Sequence, residues 1–475
     1  MSLSELQKTF AQGFAAVRTL FEFLLGEIAA LRERVAQLEA RLAKNSSNSA
    51  KPPSSDALAK TPVARSLRRR SGRKPGGQPG HPGHTLLQVE YPDHVVQHVL
   101  GRCPCGQCSG VDLRKQPLLD YDKRQVFHFP KVLLETTENQ AERKLCPCSG
   151  QLVTAAFPAE VTAPAQYHGE VKAFAVYLNT QQMLPFDRIS QLFEDLFGRR
   201  ISPATITAAS RTLFGKLEPF EQALKQALLG ALVLHVDESG LRVAGKLHWL
   251  HTACTTHLTF YGVHASRGGE AMDEMGILAE FRQRLIHDFW NPYLGYEECL
   301  HGFCNEHLLR ELKLIHEQHH QAWAGEMSAL LLEFHRLSLT KPDLSEPMLD
   351  RCHDRYGEII DNAWELYPAS APSGRPGRPK KSDAENLLQR LGDYEECILA
   401  FLHDPNVPFT NNQAEQDIRM IKVKAKISGC FRTLTGANIF ARIRAYLSTM
   451  CKQQQNLLRA LGDALAGTPI LPAPP

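Results

Sequence analysis

Apolar positions recur every three or four residues near the start of the chain. Val17, Phe21, Leu24, Ile28, Leu31, Val35, Leu38 and Leu42 follow a 4,3,4,3,4,3,4 spacing, with Arg and Glu around them. That is a heptad seam over nearly four heptads, so residues 1–44 read as a long helix that pairs with another copy in a coiled coil. A solitary amphipathic helix packed on its own chain fits the strict 3.5 period less well. The pattern stops at NSSNSAKPPSSD, and residues 45–84 read as a polar and basic linker. Residues 85–155 read as a small strand-rich module. Helical periodicity returns over 156–228. There Arg188–Phe197 makes one helix and Gly198-Arg199-Arg200 a turn; Ser202 as N-cap and Pro203 at N1 open a second helix to Leu213. This is a helix-turn-helix outline that carries Thr205, Thr207 and Arg211 on its second helix, although an ordinary helical hairpin has the same pattern.

From 229 the period changes to that of strands. ALVLHV runs into Asp237-Glu238-Ser239-Gly240 and reads as a buried strand that ends there. KLHWLHTACT and LTFYGVHAS follow as two more strands, then a helix around Glu270–Leu285, a short strand RLIHDFW holding Asp288, and CLHGFCNEHLLREL as a strand entering a helix. Three consecutive strands followed by alternation predict a mixed sheet over 229–312. Residues 313–397 read as a charged helical insertion broken by SGRPGRPKKS, whose GRP flanked by basic residues has the look of a minor-groove arm or of a flexible basic loop. The core resumes over 398–450, and 451–475 reads as an Ala/Pro-rich tail.

Within the returning core, FTNNQAEQDIRMIKVKAKISGCF reads as one helix with two faces. Glu415, Arg419, Lys422 and Lys426 share one stripe, with Arg432 just beyond, while Ala414, Ile418, Ile421 and Ala425 share a second stripe that would bury. A carboxylate heading a cationic row suits holding a metal beside a polyanion. The competing reading is a capping box, with Asn412 as N-cap and Glu415 as its N3 partner.

Composition sharpens this. The 475 residues imply roughly three or four domains, and 43% of them are hydrophobic, enough for real cores. No stretch approaches the roughly 18 apolar residues of a membrane span, and the N-terminus has no signal pattern, which points to a cytoplasmic protein with no membrane partner. The net charge of +3 is small but unevenly placed. Arg68, Arg69, Arg70, Arg73 and Lys74 form one basic cluster and 419–432 another, and such patches favour a nucleic-acid partner. Five of the 12 cysteines lie between 103 and 148, in RCPCGQC and LCPCSG. Clustering of this kind suggests structural zinc, with Cys146 and Cys148 as one pair and Cys105 and Cys108 as the other; Cys103 is the alternative ligand, since Cys103 and Cys105 would mirror the second pair.

Two strand-end aspartates, Asp237 and Asp288, and a helical glutamate, Glu415, are the donor set for two Mg²⁺ or Mn²⁺ ions, because hard cations take oxygen ligands. Arg419, Lys422 and Lys426 would hold a DNA backbone. His235, His287, His301 and His307 crowd the same region with no common metal spacing and read as structural or supporting.

The residues at this point resemble the insertion sequence 66 family of transposases (TnpC type). The resemblance covers nearly the whole chain and rests on NSSNSAKPPSSD, GRKPGGQPGHPGHTL, HVDESGLRV, HDFWNPYL, HGFCNEHLLREL and PFTNNQAEQDIRMIKVKAKISGCFRT. It implies a DDE transposase with an RNase H-like core, the acidic motifs matching at Asp237, Asp288 and Glu415. It also implies a leucine-zipper-like helix, a zinc module and a helix-turn-helix. The implied activity is metal-dependent cutting at the ends of a mobile element and joining of 3′-hydroxyl ends to target DNA, by a protein at least dimeric, acting at the bacterial nucleoid, with helper proteins from the same element as candidate partners. A silent DNA-binding regulator derived from a transposase is the alternative, and the intact acidic residues argue against it.

Overall fold

In the computed structural model the described residues are 14–43, 88–148 apart from 99, 104–106, 108–109, 115, 118, 128–133 and 146, then 151–367 and 381–473. Two compact units result, Arg65–Glu160 by itself and Met1–Ala64 with Val161–Pro475. The basic residues Arg68, Arg69, Arg70, Arg73 and Lys74, and most of the SGRPGRPKKS break, lie outside the described residues.

Helix α1, Phe14–Ala43, is one uninterrupted helix. Its seam stands in solvent: Phe21, Leu24, Ile28, Leu31, Val35 and Leu38 are all exposed.

The smaller unit has little regular structure. A two-stranded ribbon, β1 (Arg143–Leu145) and β2 (Leu152–Thr154), pairs Leu145 with Leu152 and so closes a loop that contains Cys146 and Cys148. Upstream, the Cys103 amide donates to the Val111 carbonyl and the Leu113 amide to that of Gly101, each at 3.0 Å. That pairing closes a second loop, with Cys105 and Cys108 inside it in sequence. Cys103 is half-buried and Cys148 exposed; Cys105, Cys108 and Cys146 lie outside the described residues.

The larger unit opens with four helices: α2 (Gly169–Thr180), α3 (Phe186–Phe197), α4 (Pro203–Lys216) and α5 (Glu218–Leu229). Gly198 ends α3 at φ 64°, a conformation glycine adopts without strain. The Ser202 side chain caps α4 by accepting from the Thr205 amide, with Pro203 in the first turn. Ile189, Phe193, Ile201 and Ile206 close a small core between these helices.

Next come β3 (Val233–Val243), β4 (Lys246–Cys254), β5 (Thr259–His264), the short helix α6 (Gly269–Glu274), β6 (Arg284–His287) and β7 (Leu300–Phe303). The sheet order is β5-β4-β3-β6-β7. β3, β4 and β5 are antiparallel neighbours, and β6 and β7 run parallel to β3. β3 is longer than its sequence suggests. It runs through Asp237 to Val243 and turns at Ala244-Gly245, both at positive φ as a type I′ hairpin requires. Asp237 therefore sits in mid-strand, at the level where the short strand β6 ends. The helix read over Glu270–Leu285 shrinks to the six residues of α6, because Gly276 at φ 65° breaks it.

The chain continues through α7 (Asn305–His319), α8 (Ala322–Thr340), α9 (Glu346–Trp364), α10 (Asp383–Asp393), α11 (Glu395–Ile398) and α12 (Ala400–His403). These helices share a second core, built on Leu312, Met327, Phe334, Tyr356 and Leu388, that meets the sheet through Ile286 and Phe303. Then follow α13 (Asn412–Ser428), α14 (Leu434–Lys452) and α15 (Leu457–Ala466). The last is no loose tail. Ala460, Leu461 and Ala464 fall on one helical face and are fully buried in the main core.

Candidate functional site: a carboxylate cluster on the sheet

β3 and β6 pair as Val233–Arg284, Leu234–Leu285 and His235–Ile286. Continued two residues, that register sets Asp237 level with Asp288, and strand alternation turns both to the face of His235 and Ile286. Helix α13 is pinned over the same face at its start. Asn411 receives its side chain's partners from β3: its amide nitrogen donates to the Val236 carbonyl at 2.7 Å and its oxygen meets His235 Nδ1 at 2.9 Å. At the far end, Phe431 and Arg242 exchange a backbone hydrogen bond, and the Ala244 amide donates to Phe431. Tyr261 on β5 donates to the Asp417 carbonyl at 2.6 Å, and Asp417 forms an ion pair with Lys452. Glu415 is thereby held near the aspartates by attachments that are not themselves part of the cluster.

Asn411, not Asn412, precedes the first helical residue, and its side chain is taken up by β3 rather than by a helix amide. The capping box thus does not form, and Glu415 is left without a capping role. Its Oε1 is buried with no hydrogen-bond partner.

The electrostatics are those of crowded anions. Burial first, then the carboxylates of Glu238 and Asp288, hold Asp237 well above the usual carboxylate range; the Glu238 amide opposes this and Glu415 adds to it. Burial, then Glu238, push Asp288 up to about 7, with Arg267 opposing and Glu415 contributing. Burial raises Glu415, while Arg310 and Arg419 pull it back. Each of the three is only partly accessible, so little solvent is left to screen the repulsion.

Glu238 points to the opposite face and is already satisfied. It accepts from Arg267 Nε at 2.8 Å and from the Tyr293 hydroxyl at 2.5 Å. Arg267 in turn lies 4.0 Å from the Trp290 ring centre and 4.9 Å from that of Trp249. This bonding gives Glu238 a supporting role; sequence reasoning missed its partners Arg267 and Tyr293, which stand 29 and 55 residues away from it in the chain.

The cationic stripe is partly as read. Arg419, Lys426 and Arg432 are exposed, and Lys422 is half-buried. Burial lowers the Lys422 pKa and the charge of Asp237 works against that. The apolar stripe needs correction. Ala414, Ile418 and Ile421 are buried, but Ala425 is exposed and Lys424 takes the inner position. The Lys424 ammonium donates to the Gly429 carbonyl at 3.0 Å and lies 3.8 Å from the Phe431 ring centre, which compensates its burial. On α4, Arg211 is exposed, whereas Thr205 is half-buried and its hydroxyl meets Ser202 Oγ at 2.9 Å.

Among the histidines, His287 and His301 share a ring-to-ring hydrogen bond of 2.9 Å and act as internal supports. His307 is different: its Nδ1 has no hydrogen-bond partner, and burial and then Arg310 push its pKa down to about 4, so the ring is neutral.

Divalent cations fit this place. Carboxylates that repel one another in a buried setting gain from a cation the neutralisation they lack. The fold and the site together thus define a class, a mixed α/β protein that gathers acidic side chains on one sheet face beside a row of cations. The profile of the Transposase IS66 family matches residues 165–439. That is more than half of the chain, and the chain belongs to this family. A family of unknown function (DUF6444) matches residues 4–86. No curated protein matches the sequence. Family membership makes this a transposition protein that processes nucleic acid, with DNA binding and divalent-metal use implied. No described helix is long and apolar enough to cross a membrane.

Proposed function

We propose that the protein is a DDE transposase with an RNase H-like core. It cuts DNA at the ends of its element and joins the 3′-hydroxyl ends to target DNA. What supports this reading is the β3–β6 register, which sets Asp237 level with Asp288, together with the charge of Glu415 acting on both aspartates although 178 residues separate Glu415 from Asp237. When bound, two Mg²⁺ or Mn²⁺ ions supply activation of the attacking oxygen and neutralisation of the leaving one. Asp237 and Asp288 would hold these ions from the rigid sheet, and Glu415 from α13. Lys422 would meet the scissile phosphate, and Arg419, Lys426 and Arg432 would hold the flanking backbone. No side-chain nucleophile is needed, because water and then a 3′-hydroxyl attack. Glu238 acts as a positioning residue: its bonds to Arg267 and Tyr293 fix the strand segment that carries Asp237.

The other segments complete the reading. The exposed seam of α1 pairs two copies, which holds two element ends together. Cys146 and Cys148 with Cys105 and Cys108, or Cys103, would hold one structural zinc in the smaller unit. The α3–α4 pair serves as the helix-turn-helix, with Arg211 free to meet DNA. The test is cleavage and joining on cognate element ends, run with Asp237→Asn, Asp288→Asn and Glu415→Gln. All three variants should still bind ends and should neither cut nor join. A Glu415→Gln enzyme that joins ends would overturn the reading.

A further inference from the structure

Cys304 follows β7 and immediately precedes α7, His307 lies in the first turn of α7, and Glu415 lies one turn into α13. One donor atom from each lies within 4.8 Å of the other two. His307 Nδ1 and Glu415 Oε1 face each other at 3.8 Å. Both atoms are buried and neither has a hydrogen-bond partner. The gap is too long for a direct hydrogen bond, which at this kind of pair is about 2.7–3.2 Å. It is too short for a bridging water, since two such bonds at a tetrahedral angle span about 4.6 Å. A cation bonded at about 2.0–2.2 Å to each atom spans it at a bent angle. A cavity of about 20 Å³ adjoins Cys304 and His307, walled by Phe289, Phe303 and Arg390. That is room for a single water-sized occupant.

The surroundings of the sulfur point the same way. The Asn411 amide donates to Cys304 Sγ at 3.2 Å, although Asn411 is itself the residue that docks α13 on β3.

We propose that Cys304, His307 and Glu415 form a binding site for one borderline divalent transition-metal ion of the zinc class, distinct from the hard cations of the aspartate pair. A sulfur, an imidazole nitrogen and a carboxylate oxygen are the donor set such ions prefer, and Mg²⁺ takes none of the first two readily. Three protein ligands leave one position of a tetrahedral ion open toward the cavity. The ion ties the start of α13 to the start of α7. It engages Oε1 of Glu415 and leaves the second oxygen for the aspartate side, so it sets the angle at which Glu415 addresses the aspartates. The site shares Glu415 with the phosphoryl-transfer reading, and the variants below separate the two.

The experiment is a count. The full-length protein is stripped with chelator, dialysed and titrated with Co²⁺, followed by calorimetry and by sulfur-to-cobalt charge-transfer absorption. The cysteine-rich unit contributes equally to every sample, so the reading is the difference between proteins. Wild type should take up one whole equivalent more than Cys304→Ser and one more than His307→Gln, and Cys304→Ser should lose part of the charge-transfer band. His307 is at the rim of the core, so His307→Gln folds even where Cys304→Ser does not. Asp237→Asn should keep the part of the charge-transfer band that Cys304→Ser loses, whatever Co²⁺ the aspartate cluster itself takes up. Equal uptake by wild type and His307→Gln overturns the site. Loss of that part of the band in Asp237→Asn also overturns it, because the ion then belongs to the aspartate cluster. A protein that shows the extra equivalent but still joins DNA as Asp237→Asn keeps this site and loses the transposase mechanism.

Discussion

In the larger unit Leu234, Leu285, Phe281 and Tyr446 are completely shielded from solvent; in the smaller one Val95, Val96, Leu119 and Val126 stand mostly in it. The first unit is stabilised by burial, at roughly 1.5–3 kcal/mol for each fully buried large apolar side chain. The second has two three-residue strands and exposed apolar surface, so burial within the described residues does not account for its fold. What it has instead is paired loops that carry cysteines. The contrast teaches where each unit is fragile. A core keeps its fold when a buried carboxylate is neutralised and loses only the chemistry that the charge performs. A unit without a core depends on a cross-link, the part the proposed zinc would play.

The largest expected effect is at the buried charges. Asp237→Asn, Asp288→Asn and Glu415→Gln should each lower DNA joining by at least about 10³-fold, the scale of losing several kcal/mol of charge stabilisation in the transition state. Melting of the larger unit should not fall, since each change relieves repulsion among carboxylates. A variant that is inactive because it is unfolded would erase the contrast between the units.

Next is the cross-link. Cys146→Ser with Cys148→Ser should release about one zinc ion and open residues 85–155 to proteolysis, while residues 161–473 keep their melting temperature. Metal analysis and limited proteolysis read this directly. A wild-type protein purified without chelator and free of zinc removes the explanation offered here for the smaller unit.

A third effect tests the seam of α1. Leu31→Lys with Leu38→Lys places two charges in an apolar interface and should weaken self-association by about two orders of magnitude. Sedimentation at several concentrations checks it. Unchanged sedimentation means the exposed seam packs on something other than a second copy.

Legibility in the sequence divided along physical lines. Period and capping chemistry were sufficient for α3 and α4, because Gly198, Ser202 and Pro203 act within one turn of where they stand. The mixed sheet was also accessible, since three strands in a row and then helix–strand alternation call for antiparallel and parallel neighbours in one sheet. Three features were not. The full length of β3 depends on pairing with β4, so a polar DESG segment that looks like an end is a strand interior. The burial of Lys424 depends on Phe431 arriving from beyond the helix. The α15 helix is compositionally a tail and becomes a helix only because α2 and α4 offer it a surface. At the site, the acidic residues were readable one by one, but His307 was not. Its meaning lies in an unpartnered nitrogen facing Glu415, 108 positions further along the chain, and spacing in sequence carries no trace of that.

The smallest predicted effect is the sharpest test of how the larger unit stores charge. Asp288 has a folded pKa of about 7 against an ordinary 3.8, and Asp237 is displaced in the same direction. Below about pH 4 both states are protonated and the displacement costs nothing. As pH rises from about 4 to about 7, the unfolded chain releases its protons while the folded site retains them, so the metal-free protein loses stability across that window and stays at the lower level above it. A cation binds the ionised form, so Mg²⁺ should raise the melting temperature little at about pH 5.5 and clearly at about pH 8, the gain at about 100 times the dissociation constant being near 2.7 kcal/mol. Asp288→Asn should flatten the metal-free pH profile and abolish most of the Mg²⁺ response, while making the metal-free protein more stable at about pH 8 than wild type. If the wild-type melting temperature instead rises from pH 5.5 to 8 without metal, the carboxylates are not crowded as described, and the cluster loses its reason to bind a cation.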